Sequence, residues 1–368
     1  MSGLVKPTVT FSTDAVESYS QPNASAPTAA GNPLLANSRD ASRLTFQVAQ
    51  SRFGLHFNEK GALRGLLEFD FIDFSKASPT VASLPRVRIA AFEWSPMAGL
   101  FIGAGQEWDL YAPLNPHTAN LVGSNFQSGN AAFMRQQVKV LYRPGPFEVG
   151  AAAGLAAANA GAKDGNIELG SIPTGAVRFQ WLPSTGNRLG LSAIATSLRF
   201  EGASGPERRL AGAVALFGEL TMGRTNARLE ASIGRNSANL GLLTIGTGYA
   251  GTDVDEVGGF VSVRQGLHAQ HFVSARAGYA RLIDAAKVRA SYGYQTNSTV
   301  AVSMGTGAGI KSNLSTAAAY EFRPLKNLGF VFETTYFRTE HQLVSSDVDQ
   351  MNATREAVVF DLSALVTF

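Results

Sequence analysis

The chain has 368 residues and a formal net charge of +3, with 45% hydrophobic, 10% aromatic and only 16% charged residues. A soluble domain usually carries about 25% charged residues, and a helical membrane protein would show runs of about 20 apolar ones; the sequence fits neither description. Its 38 Gly and 23 Phe suit tight turns and an aromatic outer surface, while the lack of Cys removes disulfide frameworks, zinc–thiolate sites and thiol catalysis.

Met1-Ser2-Gly3 leads almost directly into a strand-like segment, without the basic and apolar stretches of an export leader. The simplest expectation is a mature sequence to which Met1 has been added. Residues 19–42 are rich in Ala, Ser, Pro and Asn but too few to separate a pair of domains, so they are expected to form the first outer loop of a single domain, 1–368. From Leu63 the residues alternate. Leu63, Gly65, Leu67, Phe69 and Phe71 lie on one phase, with Arg64, Glu68 and Asp70 on the other. Met134, Gln136, Val138, Val140 and Tyr142 alternate with Arg135, Gln137 and Lys139. Val177, Phe179 and Trp181 bracket Arg178 and Gln180, and Val288 to Tyr294 and Leu328 to Tyr336 repeat the pattern. Period two separates the two faces of a strand. A charge turned toward lipid near the midplane costs about 2–4 kcal/mol, so the charged phase must face an inner, polar lumen.

Connections alternate in length. Short Gly/Pro/Asn turns are expected at 58–62, 95–99, 143–146, 183–187, 223–226 and 323–327. Longer polar segments are expected at 19–42, 76–84, 112–131, 158–170, 202–207, 300–311 and 342–355. Short turns on one side and long loops on the other are the habit of outer-membrane barrels, the short set lying in the periplasm. The sequence closes on a strand in which Val358, Phe360, Leu362, Ala364, Val366 and Phe368 share a face and Asp361, Ser363 and Thr367 the other, with Val359 and Leu365 as exceptions. The fold class is therefore an all-β, transmembrane, antiparallel up-and-down barrel. Counting 240–252 as a short strand makes 18 strands, the count preferred; reading it as loop and merging neighbours makes 16.

Five segments carry a resemblance. Gln50-Ser51-Arg52-Phe53-Gly54, Leu67-Glu68-Phe69-Asp70-Phe71 and Pro85-Arg86-Val87-Arg88-Ile89-Ala90-Ala91 look like the opening strands of DcaP-like porins. Gly103-Ala104-Gly105-Gln106-Glu107-Trp108 resembles that family's Gly-Gln-Thr-Trp strand, and Phe133-Met134-Arg135-Gln136-Gln137 its Arg-Gln return strand. The likeness covers about the first 40% of the chain and the final strand. It implies a trimeric outer-membrane channel for small solutes, with anions such as dicarboxylates favoured in some members. Glu107 departs from the family's Thr and adds a negative charge beside the motif. In such barrels the assembly machinery reads the end of the last strand, so Phe368 is the expected assembly signal.

The polar phase supplies the candidate pore-lining residues. Arg52, Arg88 and Arg135, with Arg64, Arg86, Lys139 and Arg178, form a basic set; Glu68, Asp70 and Glu107 form an acidic one. Charged rings select ions in pores, and guanidinium binds carboxylates bidentately. Two arrangements stay open: a basic wall facing an acidic one across the lumen, or pairs that brace the wall. Residues 112–131 are the candidate constriction loop, with Asn115, His117 and Asn125 lining a narrow passage. Trp94, Trp108 and Trp181 are expected in interfacial girdles.

Chemistry is hard to find. None of the five His falls in a His-Glu-x-x-His arrangement, and no Gly-x-Ser-x-Gly elbow accompanies one. No Lys/Arg-rich run suggests nucleic acid, and no cofactor is called for. The reading is a porin of the Gram-negative outer membrane, a homotrimer surrounded by lipid and lipopolysaccharide, passing small hydrophilic solutes with a preference for anions. The rivals are a closed structural or surface-interaction barrel, a barrel-embedded hydrolase and a soluble all-β protein.

Overall fold

The alternation read from the sequence becomes strands because each phase has a different medium to meet. The computed structural model describes residues 1–14, 16–17, 21–22, 42–72, 85–120, 125–131, 134–155, 172–202, 205–248, 251–285, 310–341 and 354–368. Eighteen strand segments make one antiparallel sheet in up-and-down order. Ser2–Val5 and Thr8–Ser12 both pair with the last strand, Thr354–Thr367, and Arg43–Gln47 and Arg52–Phe57 pair with them in turn. Each couple is one stave interrupted midway, so the barrel has 16 staves. Closure runs through Leu4 opposite Thr367 and Thr8 opposite Ser363. Joining first strand to last removes the sheet edges that hydrocarbon would leave unsatisfied.

The interruption has a sequence cause. Pro7 has no N–H to give the ladder, and beside it Lys6 turns into the barrel, where its ammonium reaches the Gln50 amide at the break in the next stave. The eighteen segments therefore do not arise from the short strand expected at 240–252. A buried 3₁₀ turn, Ser237–Leu240, leads into it, and residues 241–248 continue largely buried and outside any strand. Leu240, Leu242, Leu243 and Ile245 look like strand material but are packed inside the barrel.

Outward positions form an apolar belt. In the last strand Phe360, Leu362 and Val366 face out while Val359, Asp361 and Ser363 are buried. Phe360 stacks between Phe11 and Phe332, with centroids 6.2 and 6.5 Å away. Phe368 exchanges two backbone hydrogen bonds with Gly3, at 3.0 and 3.1 Å, and lies against Phe53. Trp94, Tyr142, Phe147 and Trp181 are exposed on the belt close to the short turns, where amphipathic rings suit the lipid headgroups. Trp108 does not join them. It packs against the interior cluster, with the Arg88 guanidinium 5.0 Å from its ring.

The short turns fall where expected, at 58–62, 98–99, 143–146, 185–186, 223–224 and 326–327, and 267–270 adds another. The connection expected as long at 202–207 is instead a tight hairpin, because Gly202 pairs directly with Gly205. Most of the outer segments at 19–42, 76–84, 158–170, 300–311 and 342–355, and the strand expected at 288–294, lie outside the described residues.

Candidate functional site

The strand Leu100–Trp108 ends by turning inward rather than outward. Asp109, Leu110, Tyr111, Ala112, Leu114, Asn120, Asn125 and Asn130 are all buried, so this loop crosses the lumen. Its pins come from distant staves. Arg276, on His271–Leu282, donates to Glu333 on Leu328–His341 at 2.7 and 2.9 Å, to Asn125 Oδ1 at 3.0 Å and to the His117 carbonyl at 3.3 Å. Glu333 in turn accepts from the Ala119 amide at 2.7 Å. The His117 amide donates to Ser262, and the Gln50 side chain donates to Asn120 across the seam. Gly129 takes φ +92°, and a Cβ there would lie 2.0 Å from the Gly259 carbonyl. A Cβ on Gly278 would meet the Ser128 carbonyl at 2.1 Å. Glycine on both loop and wall is what permits the approach.

A second inward loop, described over 236–248 and 251–254, lies against the first. The Gln127 amide donates to the Leu243 carbonyl at 2.8 Å. Glu256 accepts from the amides of Ile245 and Gly246. Arg135 ties the two loops together: its guanidinium donates to Asp109 at the root of the first loop and to the Leu240 carbonyl of the second, 2.6 Å away. A third bond reaches the Leu155 carbonyl. Around this tie the interior is apolar, with Leu110, Tyr111, Ala112, Leu240 and Leu242 packed on Leu141, Ala176, Ile194, Leu198 and Ala211 of the wall.

Among the described residues, space opens to one side of these loops. A cavity of about 660 Å³ sits beneath the start of the first loop, toward the short turns. Leu110, Ala112, Pro113 and Asn115 form its roof, and its walls carry Arg64, Glu93, Glu107, Lys139, Arg178 and Arg188. Here charges pair with neighbours rather than face one another across the lumen. Arg64 meets Glu93, Lys139 meets Glu107, Arg88 meets Glu68, and Arg86 meets Asp70 at 2.6 Å.

Another stretch of wall has a different stoichiometry. Glu148 accepts from both Arg143 and Arg178, Glu219 from both Arg188 and Arg228, and Glu321 from both Arg264 and Arg323. These three triads all lie near the short-turn end of the lumen. Burial, with Arg228 nearby, pushes the His117 imidazole down to about 4, so at neutral pH the inward loop carries no charge there.

Of the sequence-derived candidates, Arg64, Glu107, Asn115, Lys139 and Arg178 line the cavity. Arg86, Arg88, Glu68 and Asp70 form paired charges higher on the wall, and Arg52 lies opposite Asp70 in the ladder. Arg135, His117 and Asn125 hold loops in place. Arg188, Glu148, Glu219, Arg228, Arg264, Arg276, Glu321, Glu333 and the second loop were not singled out. The charged ones were on the inward phase of their strands and close to Gly/Pro turns, so parity counted from the turns would have found them. The second loop left no such trace, since a leucine-rich inward loop has a strand's composition.

No family model and no curated protein matches the chain. Solved structures do. The outer membrane channel DcaP of Acinetobacter baumannii matches with a TM-score of 0.72 at 12% identity, over 100% of this chain and 96% of that one. An anion-selective porin from Comamonas acidovorans matches with 0.60 at 10% identity, over 100% and 98%. The trimer form of OmpT, an outer membrane protein of Vibrio cholerae, matches with 0.55 at 12% identity, over 100% and 98%. The shared feature is the architecture, that of bacterial outer-membrane barrels. The resemblance read from residues 50–142 pointed to the same fold.

Proposed function

We propose that this chain is a porin, a passive outer-membrane channel for small hydrophilic solutes with a preference for anions such as carboxylates. The observation that carries the reading is the charged cavity inside a closed barrel: water-compatible side chains line a space beneath the first inward loop. Such a pore needs no cofactor and no covalent step; its selectivity follows from width and from the field of the lining groups. The preference for anions draws support from the three sites where two arginines share one carboxylate and from the solved porin described as anion-selective. A homotrimer is part of the proposal, supported by the trimeric form among the structural neighbours. So are a surround of lipid and lipopolysaccharide, and recognition of the Phe368 end by the barrel-assembly machinery.

Liposome swelling tests the pore directly. Vesicles bearing the purified protein should swell in isotonic solutions of small sugars or amino acids, and vesicles that stay rigid would exclude it. Chemical crosslinking in detergent should yield a three-chain species.

A second reading, a closed structural barrel, draws on one observation: the two inward loops bury an apolar cluster within the lumen. It predicts rigid vesicles in the same assay.

A further inference from the structure

We infer that ion selectivity resides in the three Arg–Glu–Arg triads at the short-turn end of the lumen, which together form an arc that recruits small anions, carboxylates above all. The inference rests on the pore reading above.

Successive staves bring the arc together. Arg143 follows Met134–Tyr142, Glu148 lies on Phe147–Gly154 and Arg178 on Thr174–Ser184. Arg188, Glu219 and Arg228 lie on the next three, Asn187–Gly202, Gly205–Met222 and Thr225–Arg235. Arg264 lies on Asp255–Gly266, with Glu321 and Arg323 on Ile310–Leu325. Each carboxylate lies between two guanidiniums, at contacts such as 2.7 Å from Arg188 and 2.8 Å from Arg228 to Glu219. With two guanidiniums to one carboxylate, every triad has one formal positive charge in excess.

The burial is asymmetric. The side chains of Glu148, Glu219 and Glu321 are 0%, 5% and 15% exposed, whereas Arg143, Arg188 and Arg323 are 44%, 33% and 45% exposed. The lumen therefore meets guanidinium, with the carboxylate behind it. In two triads an arginine also holds the inward loop, Arg178 donating to the Leu110 carbonyl at 3.2 Å and Arg228 to the Asn115 carbonyl at 3.0 Å, so the freer cations are Arg143, Arg188 and Arg323. The pairs Arg64–Glu93 and Lys139–Glu107, on the other side of the cavity, brace the wall with no surplus. Arg178 and Arg188 join the arc to that cavity, which they help to line. A planar fork of donors suits oxyanions, and carboxylates above all.

The test is the reversal potential of single pores in planar bilayers under a potassium chloride gradient. The unmodified pore should favour chloride. Arg178→Gln with Arg188→Gln should lower the chloride-to-potassium permeability ratio by about fourfold per charge removed, because a unit charge ~10 Å away in water acts about twofold on each ion and in opposite senses. Glu148→Gln and Glu219→Gln should raise it by a similar factor. Opposite shifts are what a structural role would not produce. Conducting pores whose reversal potential ignores both sets, or moves the same way with both, would overturn the inference while leaving the pore intact. Silent bilayers would instead overturn the pore reading itself.

Discussion

The two sides of the lumen are built from one kind of strand and solve different problems. Along the staves from Gly205–Met222 to His271–Leu282, many inward positions are small or apolar, such as Ala211, Ala213, Ala215, Gly258 and Gly278. Loops fill that side, and water is excluded from much of it. Along Leu63–Asp70, Arg86–Met97 and Met134–Tyr142 the inward positions include Arg64, Glu68, Glu93 and Lys139, and the cavity opens beside them. Side-chain size on the inward phase thus decides where a loop can lie, and charge decides where water stays. A barrel of this kind combines a packed core with a channel.

The largest effect should come from the pin between loop and wall. Arg276 and Glu333 are 1% and 0% exposed, so Arg276→Met leaves a buried carboxylate without its cation. Stability should fall by about 3–5 kcal/mol, measured as the heat-induced shift in gel mobility of the folded barrel. Gly129 offers a cleaner break. Gly129→Ala forces a Cβ into the Gly259 carbonyl at a positive φ, a strain of about 1–3 kcal/mol. The loop should leave its seat and unitary conductance should rise; an unchanged conductance would mean that the loop does not limit flow. Arg135→Ala should also enlarge conductance by untying the second loop, and Arg135→Lys should rescue it only in part, since one ammonium cannot span Asp109, Leu155 and Leu240 together.

Smaller effects belong to the open side. Arg64→Gln breaks a half-exposed pair with Glu93 and should change stability by no more than about 1 kcal/mol. A pH effect concerns His117, on the inward loop. Its imidazole titrates near 6.5 when unfolded and about 4 in place. Between those values the unfolded chain binds the extra proton, so stability is complete above pH 6.5 and declines as the pH falls toward 4. Conductance should show no step near 6.5; a step there that vanishes in His117→Asn would refute the neutral assignment.

Much of this was legible in the sequence. The phase of Leu63 to Phe71, of Met134 to Tyr142 and of the last strand assigned inside and outside correctly, because lipid tolerates few exceptions. The turns were marked by Gly, Pro and Asn. Legibility ended where the environment inverted. Leu240 to Ile245 are apolar yet face inward, Trp108 is aromatic yet leaves the belt, and 202–207 is polar yet merely turns. Pairing was also hidden: parity places Arg178 in the lumen but cannot tell whether its partner is one carboxylate or a shared one.

Single-pore recording of the purified chain in planar bilayers tests the central claim most directly. A lumen half packed and half open predicts discrete, stable current steps, enlarged when Gly129→Ala unseats the first loop. Folded protein, inserted yet passing no current in either form, would contradict it.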